Sequence, residues 1–178
     1  SKDSGVKSLE DFKGKKVSVG AAGSGVYFNA KDILTAYGLG DVNENDEFTQ
    51  INATYQSFGD SANDLKDGKI DAAFTVAGAP TTAIVDYATT NTLNLVSLSD
   101  DELAAIQEAY PFLIRDDLAA GTYTGQDADV TCVAIQATLV ASEELSEDVV
   151  YEFVKAMFDN KDALTEGHAK FGFLDPEA

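Results

Sequence analysis

Apolar and polar positions along the first half of the chain switch repeatedly between a two-residue and a 3.6-residue period. Val17-Ser18-Val19 is a short β-branched run that stops in Gly20, Gly23 and Gly25. Val26, Ala30, Ile33, Leu34 and Tyr37 then follow at offsets 0, 4, 7, 8 and 11, which predicts one apolar face of a helix. Gly38 ends it, in the left-handed conformation that glycine adopts cheaply. The same alternation returns downstream. Glu47–Ile51 reads as strand two, Phe58, Ala62 and Leu65 as a helix face closed by Gly68, and Ile70–Val76 as strand three. Strand three runs into Ala77-Gly78-Ala79-Pro80, with Pro80 at a first-turn helix position.

Further along, Leu93–Leu98 reads as strand four. Ser99-Asp100-Asp101-Glu102 is a capping box for a helix that stops at Pro111. Val133, Ile135, Ala137, Leu139 and Ala141 alternate within a long half-buried strand from Val130 to Ala141. A helix after Ser146 carries a wide stripe of Val149, Val150, Phe153, Val154, Met157 and Phe158. These elements predict an α/β fold around a mainly parallel sheet of five strands, strand one between two and three, with the long last strand returning antiparallel and helices on the flanks.

A strand that enters a helix through glycines leaves backbone N–H groups and the positive dipole end at the turn, a seat for a carboxylate or phosphate. A tight turn whose glycines serve geometry alone explains the motif equally well. The nucleotide motifs fit poorly: the order is G-x-x-G-x-G rather than G-x-G-x-x-G, and no Lys-Ser or Lys-Thr follows Gly25. The second turn, at Gly78, opens on the same carboxyl edge of a parallel sheet, and two such turns favour a ligand.

Other candidates have simpler readings. Asp41, Asn43 and Asn45 imitate a calcium loop, but Asp46 replaces its glycine and Asn52 its last glutamate. Lys13, Lys15 and Lys16 solvate the approach to strand one, and Arg115 pairs with Asp116 and Asp117. Cys132, the only cysteine, reads as a buried inert thiol, and with His168 as the only histidine a metal site or a nucleophile–base pair lacks partners. No cofactor is expected.

At 178 residues, 44% hydrophobic and 24% charged, the chain has the composition of an ordinary globular domain, or of one with part of another. The net charge of −19 is unusual, and it argues against nucleic acid and anionic membranes as partners. It does not exclude a small anion, whose binding is decided by nearby N–H groups. No apolar run reaches the length of a membrane span, and the start Ser1-Lys2-Asp3 suggests a mature or trimmed segment.

Several phrases in order resemble the TAXI-type solute-binding proteins of tripartite ATP-independent periplasmic (TRAP) transporters. They are Leu9-Glu-Asp-Phe-Lys-Gly-Lys-Lys-Val-Ser-Val-Gly with its Ala-Ala-Gly-Ser-Gly loop, Leu65-Lys-Asp-Gly-Lys-Ile-Asp-Ala-Ala-Phe, Gly78-Ala-Pro, and Gly121-Thr-Tyr-Thr-Gly-Gln-Asp. The strand from Val130 and the ending around His168 and Leu174-Asp-Pro-Glu resemble the family too. The resemblance implies a type II periplasmic-binding-protein-like lobe in a two-lobed, extracytoplasmic receptor, periplasmic or a cell-surface lipoprotein. Such a receptor is no enzyme: it closes on a small anionic solute, an acidic amino acid or dicarboxylate, and delivers it to TRAP membrane subunits. By position, Gly23, Ser24 and Gly25, with Thr75, Ala77, Gly78, Ala79 and Pro80, would be the ligand-facing edge, and Tyr123 to Gln126 would lie where the chain crosses between lobes. Residues 9–128 would be the second lobe, and 129–178 a returning strand and helices of an incomplete first lobe. The stripe after Ser146 would then need other cover, including self-association through the tail. An effector-sensing domain of a transcription regulator shares this architecture, and a small transferase-type enzyme is the more distant alternative.

Overall fold

The computed structural model describes residues 4–175 and divides into two compact units, Ser1–Gln136 and Ala137–Ala178. In the first unit, strands β1 (Lys16–Ser18), β2 (Asn52–Thr54) and β3 (Ala72–Ala73) form a parallel sheet in the order β2-β1-β3. The register pairs Ser18 with Thr54 on one side and with Ala73 on the other. Strand one is therefore central, as the pattern predicts, and all three strands end at one edge. Each is followed by a helix: α1 (Gly25–Ala36), α2 (Phe58–Lys66) and α3 (Thr82–Thr90). This is an α/β architecture compatible with a periplasmic-binding-protein-like lobe.

The core grows from the apolar positions of β1 and α1. Val17 and Val19 are fully enclosed with Ala30 and Leu34 of α1, and with Ile106 of α4 (Asp100–Ala109), which packs beside α1. The buried face of α1 is Tyr27, Ala30, Ile33 and Leu34, with Asn29 among them, so Tyr27 replaces the expected Val26. Asn29 satisfies its amide by donating to the Gly25 carbonyl at 2.7 Å. Gly38 adopts φ +72° just past the helix, as its position requires.

Glu102 is 5% exposed yet charged. It closes the capping box on Ser99 and also accepts the Leu9 N–H at 3.3 Å, tying the start of the chain to α4. Burial pushes its carboxyl up, but the donors from Ser99 and Leu9 outweigh this and hold it below the usual glutamate range.

Three expected strands differ. Strand two begins at Asn52 rather than Glu47, because Phe48 is spent on a local bridge to Val42. Strand three shrinks to Ala72–Ala73, because the Lys69 and Ile70 N–H groups turn back to the Asp64 carbonyl. Leu93–Leu98 forms no strand at all. Its only ladder-like contact is Leu98 N–H to the Thr131 carbonyl, while the Ser97 hydroxyl takes the Thr131 N–H that a strand carbonyl would take.

The sheet thus has three strands instead of five, and the antiparallel element is separate. Strand β4 (Ile114–Leu118) pairs antiparallel with β5 (Val130–Ala134). The expected run to Ala141 stops at Ala134 because its partner begins at Ile114, after a turn in which Leu113 N–H bonds the Tyr110 carbonyl. Cys132 lies half-buried in β5 rather than fully enclosed.

The second unit contains α5 (Glu147–Asp159), α6 (Lys161–Gly167) and a 3-10 turn at Ala169–Phe173. Ser146 caps α5, as expected, but no residue of that helix is buried, and Val149, Tyr151 and Phe153 are among its exposed side chains.

Candidate functional site

The carboxyl edge of the three-stranded sheet gathers the starts of three helices, and their chemistry differs. Ser57 caps α2 by accepting the Asp60 N–H at 3.2 Å, and its hydroxyl donates to the Asp60 carboxylate at 2.7 Å. The positive end of α2 is thereby answered by its own acid. The same holds for α4 with Asp100, Asp101 and Glu102, for α5 with Glu147 and Asp148, and for α6 with Asp162. Only α1 and α3, among the α-helices of the described residues, carry no acid in the first turn. The chain has 31 acidic residues, so the omission is selective, and it falls on the two glycine turns.

At the first turn, Ser24 is the N-cap of α1 and its Oγ accepts the Tyr27 N–H at 3.2 Å. Its hydroxyl proton stays available to a further acceptor. The Ser24 N–H is occupied by the Ala21 carbonyl at 3.0 Å, so not every N–H of the turn is left for a ligand. Gly23, Gly25 and Val26 retain N–H groups without a protein acceptor among the described residues.

The glycines of this turn have separate duties. Gly20 has φ +85°, and a Cβ there would stand 2.6 Å from Val26 Cβ, so the backbone folds back against α1 only with glycine present. Gly25 has an ordinary helical conformation, and a Cβ there would meet nothing within 4 Å. Neither strain nor packing requires glycine at position 25.

At the second turn, Thr75, Ala77, Gly78 and Pro80 are exposed and Ala79 is half-buried. Pro80 lies outside the helix rather than in its first turn: α3 starts at Thr82 with Thr81 as N-cap. The Thr81 hydroxyl donates to the Gly78 carbonyl at 3.0 Å and provides no cap. The Thr81 N–H donates instead to the hydroxyl of Tyr123, 42 positions on, at 2.9 Å. Thr82 and Ala83 N–H have no protein acceptor among the described residues.

Beside the first turn, Tyr27 meets Phe28 and Phe48 edge-on and Tyr55 at a tilt, with Phe28 and Tyr55 exposed. The Tyr27 hydroxyl donates to Asp46 at 2.6 Å, and Lys31 pairs with the same carboxylate at 2.6 Å. Those two donors hold Asp46 below the usual carboxylate range. The calcium-like segment is thus a closed turn: Asn43 Oδ1 accepts the Asn45 and Glu47 N–H groups, and Asp46 is engaged elsewhere.

The remaining sequence candidates are structural. Arg115 spans Asp117 and Asp100 on the surface, and the Lys15 ammonium donates to the Ser4 carbonyl. No group of three or more His, Cys, Asp or Glu side chains is placed to hold a metal among the described residues. A depression of about 280 Å³ lined by Glu10, Lys13, Tyr37 and Leu39 lies beyond the opposite end of α1 and includes neither glycine turn.

A family model described as the NMT1-like family matches residues 1–178. The chain belongs to the NMT1-like family. This is a periplasmic solute-binding-type family, a family of binding proteins rather than enzymes, and its members are typically extracytoplasmic. Membership in the NMT1-like family implies a small-molecule ligand. No helix among the described residues is long and apolar enough to cross a membrane.

Both turns are legible in the sequence, and the tie between Thr81 and Tyr123 is not among its expectations. A signal was present: a tyrosine and a glutamine inside a turn-rich phrase, where exposed polar residues are ordinarily enough. Strand β4 is unexpected too, because its Arg-Asp-Asp centre reads as surface loop.

Proposed function

We propose that the carboxyl edge formed by Gly23, Ser24 and Gly25 and by Thr75, Ala77, Gly78, Ala79 and Pro80 is one wall of a site for a small anionic solute. The solute is an acidic amino acid or a dicarboxylate. The receptor captures it outside the cytoplasm and hands it to the membrane subunits of a TRAP transporter. One observation carries the reading: in a chain of net charge −19, the two helices entered through glycine turns are those without an acid in the first turn. Their N-terminal dipoles and N–H groups are left for an external anion. The exposed glycine edge is consistent with close approach of a ligand to backbone.

The TRAP assignment rests on the order and spacing of the phrases that resemble TAXI-type receptors. The division into a second lobe at 9–128 and first-lobe elements at 129–178 belongs to the same proposal. Titration calorimetry of the full-length protein with L-glutamate and succinate tests the site. Saturable heat with either supports the reading, and silence with both removes it. Loss of uptake after deletion of a neighbouring multi-span membrane gene tests the transporter.

A further inference from the structure

Charge is divided unevenly along the first unit. Residues 4–69 hold ten acids against seven lysines, whereas residues 70–136 hold ten acids against one cation, Arg115. Of these second ten, all but Asp71 and Glu102 are exposed. Asp71 and Asp86 apart, they sit on α4, on β4 and in the turn between β4 and β5. In the first half the pairs are local: Lys31 meets Asp46, and Lys69 meets Asp64 and Asp67.

Arg115, on β4, ties three elements together. Its Nε donates to Asp117 Oδ2 at 3.0 Å, Nη1 to Asp100 Oδ1 at the start of α4 at 3.3 Å, and Nη2 to Thr131 Oγ1 of β5 at 3.3 Å. The Thr131 hydroxyl donates in turn to Asp117 Oδ1 at 2.7 Å. Exposed pairs of this kind stabilise weakly, and one cation does not offset the mutual repulsion of the acids around it. Salt screens attraction and repulsion alike. Where acids outnumber cations ten to one, screening removes more repulsion than attraction, and added salt is stabilising on balance.

The antiparallel ladder has little else to resist that repulsion. Strand β4 is exposed from Ile114 to Asp117, and no residue of β5 is fully buried. The parallel sheet, by contrast, is anchored by the enclosed Val17 and Val19. Segments with few buried contacts open before the whole fold does. We propose that β4, β5 and the start of α4 form an ionic-strength-sensitive part of the fold: screened by salt and clamped by Arg115 they stay closed, and at low ionic strength they loosen while the parallel sheet holds. This behaviour needs no solute and is separate from the carboxyl-edge site.

Hydrogen exchange of the full-length protein, read by mass spectrometry at low and physiological salt, tests this. Between about 10 and 150 mM NaCl the Debye length falls from about 30 to about 8 Å. The β4 and β5 amides should exchange about tenfold more slowly at the higher salt, and those of β1 and α1 should change by less than about twofold. Exchange in β4 and β5 that stays constant, or slows no more than in β1 and α1, overturns the inference. Arg115→Met removes the cation and keeps an apolar stem. It should speed exchange in β4 and β5 at the lower salt, with a smaller gap from the unaltered chain at the higher. A gap that does not shrink with salt comes from lost packing, and overturns the clamp. If Arg115→Met does not fold, Asp116→Asn/Asp127→Asn gives the opposite sign, since both acids are exposed and their removal relieves repulsion. The double variant should exchange more slowly than the unaltered chain at the lower salt and alike at the higher. Equal exchange at the lower salt overturns the inference.

Discussion

Gly25→Val separates folding from binding at one atom. Position 25 is the first residue of α1, with φ outside the left-handed region and open space where a Cβ would stand. A Cβ there meets no protein atom within 4 Å, and valine restricts the unfolded chain more than glycine, so stability should change by less than about 0.5 kcal/mol. For a chain of this length that is a shift of about 1–2 °C in the thermal midpoint. Binding should respond very differently. A side chain in the open space blocks approach to the Gly25 and Val26 N–H groups, and two hydrogen bonds to a carboxylate at about 1.5–3 kcal/mol each amount to a loss of about 10²- to 10⁴-fold. Scanning fluorimetry measures the first quantity, and titration of the full-length protein with L-glutamate or succinate the second. The neighbouring Gly20→Ala is the control. Its Cβ would lie 2.6 Å from Val26 Cβ at φ +85°, so it should destabilise the fold by about 2–4 kcal/mol from strain and overpacking. An unchanged affinity in Gly25→Val would mean that the turn serves geometry alone. A Gly25→Val as unstable as Gly20→Ala would refute the account of the open space.

Ser24→Ala removes both a cap and a donor: it should cost about 1 kcal/mol in stability and weaken solute binding about 5- to 100-fold, read by the same two methods. Glu102 has a depressed carboxyl, so its contribution is complete above the ordinary glutamate range and is lost as pH falls through its lowered value. The gap in thermal midpoint between the unaltered chain and Glu102→Gln should therefore narrow as pH falls below about 4, and a gap that stays constant with pH would refute the assignment. The α5 stripe, with Val149 and Phe153 exposed, predicts self-association that grows with concentration. Light scattering should show the mass falling toward the monomer in Val149→Glu/Phe153→Glu, and a monodisperse monomer before mutation would refute it.

Local chemistry determined much of what the sequence alone could say. Ser24, Ser57, Ser99 and Ser146 head their helices in the structure because an N-cap needs only a hydroxyl three residues from an N–H, a relation contained in the sequence. Gly38 ends α1 for a similarly local reason, and the central place of strand one follows from short turns and parallel connections. What required the tertiary structure were questions of partnership. Val130–Ala141 alternates throughout, yet only Val130–Ala134 is a strand, because a ladder lasts as long as its neighbour. Leu93–Leu98 has strand composition but meets a serine hydroxyl where a carbonyl would be needed. Which glycine holds the turn and which leaves it open could not be read from G-x-x-G-x-G, since the difference between Gly20 and Gly25 is the distance to Val26. The contact between Tyr123 and Thr81 likewise joins residues 42 positions apart, and only the folded chain brings a phenol to the start of α3.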